Sequence, residues 1–397
     1  MCSAALAAVG VIVLPATATA TGPAVLAGHR PALAPLTPLA LPGQNALTLP
    51  GTVHAWGANG QGQLGDGTTT GRLTPIQIEG IDAITAVVAG ENTAYAMANG
   101  AVQAWGDNSH NELGDGTTTD RLTPVQVNDL VDVDHIGAGA HNGYAARSDG
   151  TAWAWGQNNY GSIGDGTTEN RSLPVQVYGL TDVIAVAGGL HTGYAVRSDG
   201  TAWAWGRNYG GALGDGTTTD RLTAVQVSDL TDVAAVAGGN YRAYALRQDG
   251  TVWAWGSNSF GALGDGTTTS SLTPVPVAGL TQIIAIAAGA YTGYALRSDG
   301  TVWTWGYNYD GELGNGTTTN SSTPVQVTGL TQVTAIAAGA YTGYAVRSDG
   351  TVRAWGSGAG GALGNGTTTK SLTPVQVAGL SGMTTVGGGG LSGYAVN

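Results

Sequence analysis

Cysteine is all but missing, with Cys2 the only one in 397 residues. That excludes an internal disulfide and a cysteine nucleophile in the body of the chain. Lysine is as scarce, since Lys370 stands alone. Charged residues make up only 10% of the chain, and 14 basic against 26 acidic residues leave a net charge of −12. No basic stripe exists, so the electrostatic footprint of a nucleic-acid binder is lacking. The acidic balance favours solubility and basic partners. Catalytic signatures are missing too. There is no Gly-x-Ser-x-Gly elbow, no glycine loop placed to cradle a phosphate before a helix, and no zinc-type spacing among the six histidines. No helical period runs anywhere. The one apolar run, ending at Leu14, is too short for a comfortable membrane span.

What is abundant is glycine, with 67 residues, and repetition. The phrase Gly250-Thr251-Val252-Trp253-Ala254-Trp255-Gly256, continued by Leu263-Gly264-Asp265-Gly266-Thr267-Thr268-Thr269, occurs in seven copies. The others centre on Trp56-Gly57, Trp105-Gly106, Trp155-Gly156, Trp205-Gly206, Trp305-Gly306 and Trp355-Gly356. From Trp105 to Trp355 the pairs recur every 50 residues, and only Trp56 to Trp105 is 49. The missing residue falls in one turn, where Ala98-Asn99-Gly100 replaces Arg147-Ser148-Asp149-Gly150. A period of this length signals a solenoid, a propeller or an array. One such unit cannot bury its own apolar faces and must stack on its neighbours.

Each unit holds four strand signals, seen in the fifth copy as Pro274–Val277, Ile283–Ala287, Tyr294–Arg297 and Val302–Trp305. Turn residues separate them, Ser298-Asp299-Gly300 being the clearest hairpin signal. The second strand is apolar on both faces, as a sheet covered on each side requires. Trp303 and Trp305 stand two apart, hence on one face, and Trp155, Trp205, Trp255 and their equivalents are expected to fill the space between blades. The reading is an all-β, seven-bladed β-propeller with four antiparallel strands per blade. The repeats open on Gly51–Trp56, a fourth strand without its third, and close on Tyr394–Asn397, a third strand without its fourth. Their pairing, with Val53 and Val396 in one blade, is expected to shut the ring.

Residues 1–20 read as a secretory signal with an Ala-x-Ala site, though no Lys or Arg precedes the apolar run; a low-complexity tail is the other reading. Residues 21–44, with five prolines among Ala and Leu, read as an extended linker carrying His29. The propeller is assigned to residues 45–397.

Strand parity then locates a binding surface. Successive antiparallel strands put the first–second and third–fourth turns at one end of the ring, and these are monotonous. The second–third loops and the segment after the fourth strand share the other end, and these vary. After the fourth strand stand His110, Tyr160, Tyr209, Phe260, Tyr307 and Tyr309; in the second–third loops stand His141, His191, Tyr241, Arg242, Tyr291 and Tyr341. Aromatics and Arg are the usual anchors of protein interfaces, so these residues are expected to bind a partner; covering blade junctions is the alternative role. Asp165, Asp215 and Asp265, each before a glycine, read as turn-stabilising residues, because one carboxylate per loop is too few for calcium. His141 and His191 occupy equivalent loops and could share a ligand; a lyase or hydrolase would be built there. No catalytic residue, cofactor or metal is expected.

Trp-Gly-x-Asn-x-x-Gly-x-Leu-Gly-[Asp/Asn]-Gly followed by Pro-Val-x-Val, as in Trp255 to Val277, resembles the regulator of chromosome condensation repeat over residues 51–397. The resemblance implies a seven-bladed propeller. The family's nuclear namesake is an exchange factor for a small GTPase that docks on chromatin; this chain has no basic tail and no insertion within its repeats. In overall plan it is similar to a secreted bacterial β-lactamase inhibitor of the same fold. These likenesses imply a monomeric, secreted protein that binds a protein partner, with an intracellular exchange factor or a carbohydrate-binding adhesin as competing readings.

Overall fold

The computed structural model describes residues 51–397. The signal-like segment, the linker, Cys2, His29 and residues 45–50 lie outside the described residues. Seven four-stranded antiparallel sheets contain all 28 strands of the described residues. Apart from strands, regular structure among the described residues is limited to three short 3-10 turns, Tyr209–Gly211, Ser259–Gly261 and Ala359–Gly361.

One blade shows the plan. Its strands, from the axis outward, are Ile283–Ala288, Thr292–Arg297, Val302–Gly306 and Ser321–Gln326. Inner strands are mostly small and apolar, Asp134 and His135 of Val133–Ala138 excepted, because seven of them must meet around the axis: a Cβ on Gly188 would collide with the backbone at Gly139. The blade is phased differently from the sequence repeat. Pro274–Val277, read as the first strand of its unit, falls largely within Ser271–Pro276, which closes the preceding blade on Val252–Gly256 with Trp253 opposite Pro276. The long loop between those two strands turns the chain back on its own blade, while the short Ala278-Gly279-Leu280-Thr281 link crosses to the next.

Ring closure follows the expected pairing. Val53–Gly57 lies antiparallel to Ser392–Val396 with Val53 opposite Val396 and Trp56 opposite Gly393. Arg72–Gln77 and Thr385–Gly388 complete that blade. The shortened turn also has its physical form: Asn99 (φ 50°) and Gly100 (φ 76°) are both left-handed, the two-residue hairpin that an Asn-Gly pair favours.

Blades are clasped together by the repeated tryptophan. Trp255 Nε1 donates to the Ala212 carbonyl at 2.9 Å, Tyr194 OH donates to the same oxygen at 2.9 Å, and the two rings meet edge to face 6.4 Å apart. Every junction repeats this arrangement, the closing one through Trp56, Tyr344 and the Ala362 carbonyl. Trp56, Trp105, Trp155, Trp205, Trp255, Trp305 and Trp355 are all buried. The glycine after each is required at a bulge, where Gly256 has φ 99° and a side chain would strike the Tyr241 carbonyl.

The Leu-Gly-Asp-Gly-Thr-Thr-Thr loop satisfies itself. Asn208 Nδ2 donates to the carbonyls of Thr217 and Thr219, each at 3.1 Å, and its Oδ1 accepts from Leu213 N. Asp215 Oδ1 accepts from Thr217 N and Oγ1, while Oδ2 pairs with Arg221 at 2.8 Å. The carboxylate is thereby engaged in holding its own turn, as the sequence suggested.

Candidate functional site: the aromatic end of the ring

The two ends separate as strand parity requires. At the monotonous end Asp149 Oδ1 accepts from Thr151 N and Oγ1, and Ser148 N bonds the Asp132 carbonyl of the neighbouring link. At the other end the loops between the first and second strands of each blade meet the segments that follow Trp-Gly, as when Ser257 N bonds the Tyr241 carbonyl. Backbone bonds between successive loops, such as Glu91 N to Ala140 O and Ala140 N to Gly189 O, tie these loops into a collar around the axis.

On this collar the variable side chains pack in two runs of rings. Tyr209 packs on Tyr241 at 4.9 Å between centroids, Phe260 on Tyr307 at 4.9 Å and on Tyr291 at 5.6 Å, and Tyr307 on Tyr341 at 6.3 Å. Tyr307 also stacks on Tyr309, over which Lys370 Nζ sits at 4.9 Å while it pairs with Asp310. Tyr209, Phe260 and Tyr309 are exposed, at 59%, 43% and 66%. Tyr160, Tyr241, Tyr291, Tyr307 and Tyr341 are half-buried, because each leans on its neighbours and still shows a face to solvent. Phe260, Tyr291, Tyr307, Asp310 and Tyr341 line a hollow of about 280 Å³.

Two of these aromatics occupy backbone that L-residues avoid. Phe260 has φ 66°, where the equivalent Gly210 and Gly360 have φ 67° and 64°, and Tyr241 has φ 57°. A left-handed non-glycine residue costs about 1–2 kcal/mol, so the ring here is held at the expense of local stability.

Beside the hollow lies Glu312, completely buried. Its Oε2 accepts from Asp310 N at 2.9 Å, and its Oε1 has no hydrogen-bond partner. Burial, with the Asp310 charge behind it, pushes its carboxyl up to about 7. The folded state therefore holds a proton that the unfolded chain releases near the ordinary 4.5, so stability falls as pH rises from about 4.5 to 7 and is flat above. Glu312→Gln removes that slope. Urea unfolding is expected to find the variant about 2–3 kcal/mol more stable than the parent at pH 8 and equal to it near pH 4. Parallel pH profiles would contradict the buried, protonated carboxyl.

The run that holds Tyr209 and Tyr241 continues through Arg207, whose guanidinium lies 4.4 Å from the Tyr160 centroid and 5.2 Å from that of Tyr241, and whose Nη1 donates to Tyr241 OH at 3.1 Å. Tyr160 then meets His191 at 5.1 Å, His191 stacks on His141 at 6.4 Å, and His141 meets His110 at 5.3 Å. Burial first, and then the neighbouring His141 and Arg207, lower His191 to about 4, which keeps it neutral. His141 goes the other way. Burial opposes its charge, but the adjoining Glu112 carboxylate, with the Glu91 and Asp107 charges behind it, outweighs burial and raises it.

Eleven of the twelve residues singled out in the sequence lie at this end with solvent access, and Arg242 is a correction. It is completely buried, with Nε donating to the Ser257 carbonyl at 2.9 Å and Nη1 to the Ala290 carbonyl at 2.8 Å. It begins its strand where other blades carry Thr292 and Thr342, whose hydroxyls donate to the carbonyls of Tyr307 and Ser357. Arg242 does the threonine's work from inside the fold and supports Tyr291 from below at 5.2 Å. Sequence reasoning missed Arg207, Glu91, Glu112, Asp310, Glu312 and Lys370. Arg207 stands in a column otherwise holding Ala58, Asp107, Gln157, Ser257, Tyr307 and Ser357, and that variation was the available signal.

A closed ring of seven four-stranded blades with one uniform and one variable end is a seven-bladed β-propeller. The chain belongs to the regulator of chromosome condensation (RCC1) repeat family, whose repeat matches residues 50–97, 99–145, 149–196, 199–246, 249–296, 299–346 and 349–395. Among solved structures it is similar to Prp20p from Saccharomyces cerevisiae, with 21% identity over 88% of this chain and 92% of that one, at a TM-score of 0.77. Human WBSCR16 is as similar, with 21% identity over 87% of this chain and 98% of that one, at a TM-score of 0.78. At such identities the likeness is one of fold. No curated protein sequence matches the chain significantly. Among the described residues no helix is long and apolar enough to cross a membrane.

Proposed function

We propose that the chain is a secreted, monomeric, non-catalytic binding module that seats a protein partner on the aromatic end of its ring. The observation that carries this reading is the run of packed rings around the 280 Å³ hollow, with a second run at the same end, the one end where the repeats differ. Rigid aromatics give large contact area at little cost in side-chain entropy, and the backbone strain at Phe260 and Tyr241 fixes two of them in place. Asp310 at the hollow, with the overall charge of −12, favours a partner that inserts a basic or amphipathic side chain. Inhibition of a secreted enzyme is the sharpest form of the proposal, suggested by the signal-like residues 1–20 and by the resemblance in plan to a secreted propeller inhibitor. A regulatory role is the second reading, favoured by membership of the repeat family; the yeast relative is described by its binding to Gsp1p and histones.

Capture from the culture medium and envelope of the producing cells tests the proposal. One bait carries residues 45–397, and the other carries Tyr241→Ala, Phe260→Ala, Tyr291→Ala and Tyr341→Ala together, with its fold checked by circular dichroism. Interface anchors are each worth about 2 kcal/mol or more, so a protein held by the first bait should be lost from the second. Equal capture by both folded baits would overturn the assignment. Binding of glycans but no protein by the parent bait would move it to the adhesin reading.

A further inference from the structure

We infer that His110, Glu112 and His141 form a binding site for a divalent transition metal of the zinc type, at the edge of the aromatic end. One ligand atom from each of the three lies within 4.8 Å of the other two. Glu112 Oε1 stands 3.4 Å from His110 Nδ1 and 3.3 Å from His141 Nδ1. Around a tetrahedral zinc with bonds of about 2.1 Å, neighbouring ligand atoms sit about 3.4 Å apart. Two edges of that tetrahedron are therefore present in the side chains as they stand.

Glu112 supplies an independent pointer. It is completely buried, and its Oε1 has no hydrogen-bond partner although it is aimed between two imidazoles. Its other oxygen is fixed by His110 N at 2.7 Å, and its backbone carbonyl is held by Trp155 Nε1 and Tyr95 OH at 2.8 and 2.7 Å. The carboxylate cannot swing to water. His141 is held by its collar, where Ala140 N bonds Gly189 O and Glu91 N bonds Ala140 O. Its second nitrogen, Nε2, faces Glu91 Oε2 at 3.6 Å, the outer carboxylate that orients a metal-bound histidine. Ser109 Oγ, 3.0 Å from His110 Nδ1, gives up that contact when the nitrogen turns to the metal.

Two nitrogens and one carboxylate oxygen suit zinc, copper, nickel or cobalt better than magnesium or calcium. His110 is 43% exposed, so the fourth position opens to solvent beside Tyr160 and His191, where water or a donor from a bound protein completes the shell. The ligands come from two blades, and no other junction brings together this set: the equivalents of Glu112 are Gln63, Ser162, Ala212, Ala262, Glu312 and Ala362, and Glu312 faces Tyr341 in place of a histidine.

Calorimetric titration of the chelator-treated full chain with zinc chloride tests the inference, alongside cobalt(II) absorption in the visible. The expected result is one site at micromolar or tighter affinity and the intense cobalt bands of a tetrahedral site. His110→Ala, His141→Ala and Glu112→Gln should each weaken zinc at least 100-fold, while His191→Ala leaves it within a few-fold. His110 is exposed on its loop, so its variant folds whatever the fate of Glu112→Gln; thermal unfolding of all four checks this. No zinc binding below millimolar, or unchanged binding in His110→Ala and His141→Ala, overturns the site.

Discussion

Trp255→Ala is expected to destabilise the ring by about 3–5 kcal/mol, the cost of emptying a large buried aromatic site. The indole is fully buried at a blade junction, packs edge to face on Tyr194, and donates to the Ala212 carbonyl. Trp255→Phe should cost much less, about 1–2 kcal/mol, for a specific reason. Phenylalanine keeps most of the apolar contact, and the Ala212 carbonyl still accepts from Tyr194 OH, so no buried acceptor is left bare. Because the ring is closed, Trp56 at the N-terminal end of the fold should behave like Trp255 in the middle, where an open repeat array would fray at its ends. Equilibrium unfolding in urea measures all three. A Trp56→Ala cost well below that of Trp255→Ala would contradict a ring clasped equally at every junction.

Removal of residues 391–397 should have the larger effect still. It takes away Ser392–Val396, which bridges Val53–Gly57 and Thr385–Gly388, and with it the fully buried Tyr394. Two strand edges are exposed, and the Trp105 junction loses its tyrosine, since Tyr394 OH shares the Gln63 carbonyl with Trp105 Nε1. Single domains are stable by only about 5–15 kcal/mol, and the loss of a whole buried strand is of that order. The truncated chain is expected to lose its cooperative thermal transition and to regain it when a peptide of residues 389–397 is added. A truncated chain that melts like the parent would show that the seventh blade is dispensable.

Much of this architecture was legible because it is written seven times. Trp-Gly spacing, Asp-Gly turns and the incomplete end strands gave blade number, strand count and closure. The phase of the blade was not legible, since the loop at residues 257–270 and the link at 278–282 differ in length but not in turn chemistry, and only hydrogen bonding decides which joins strands of one sheet. The variable end was found by strand parity. Arg242 was misplaced because sequence shows that a loop differs but not which side of the collar a side chain enters. The histidine–glutamate group escaped because His110 and His141 stand on different blades, where ligand spacing along the chain carries no information. Arg207, which joins Tyr160 to Tyr209 and Tyr241, is a single unrepeated residue.

Seating of a protein partner on the aromatic end is tested by amide hydrogen exchange of the chain with and without its captured partner. Slowed exchange is expected in the collar loops around His141, His191, Tyr241, Tyr291 and Tyr341 and in the segments around Tyr209, Phe260 and Tyr309. The Arg-Ser-Asp-Gly turns at the opposite end should exchange as they do in the free protein. Protection confined to those turns, with the collar loops unchanged, would contradict it.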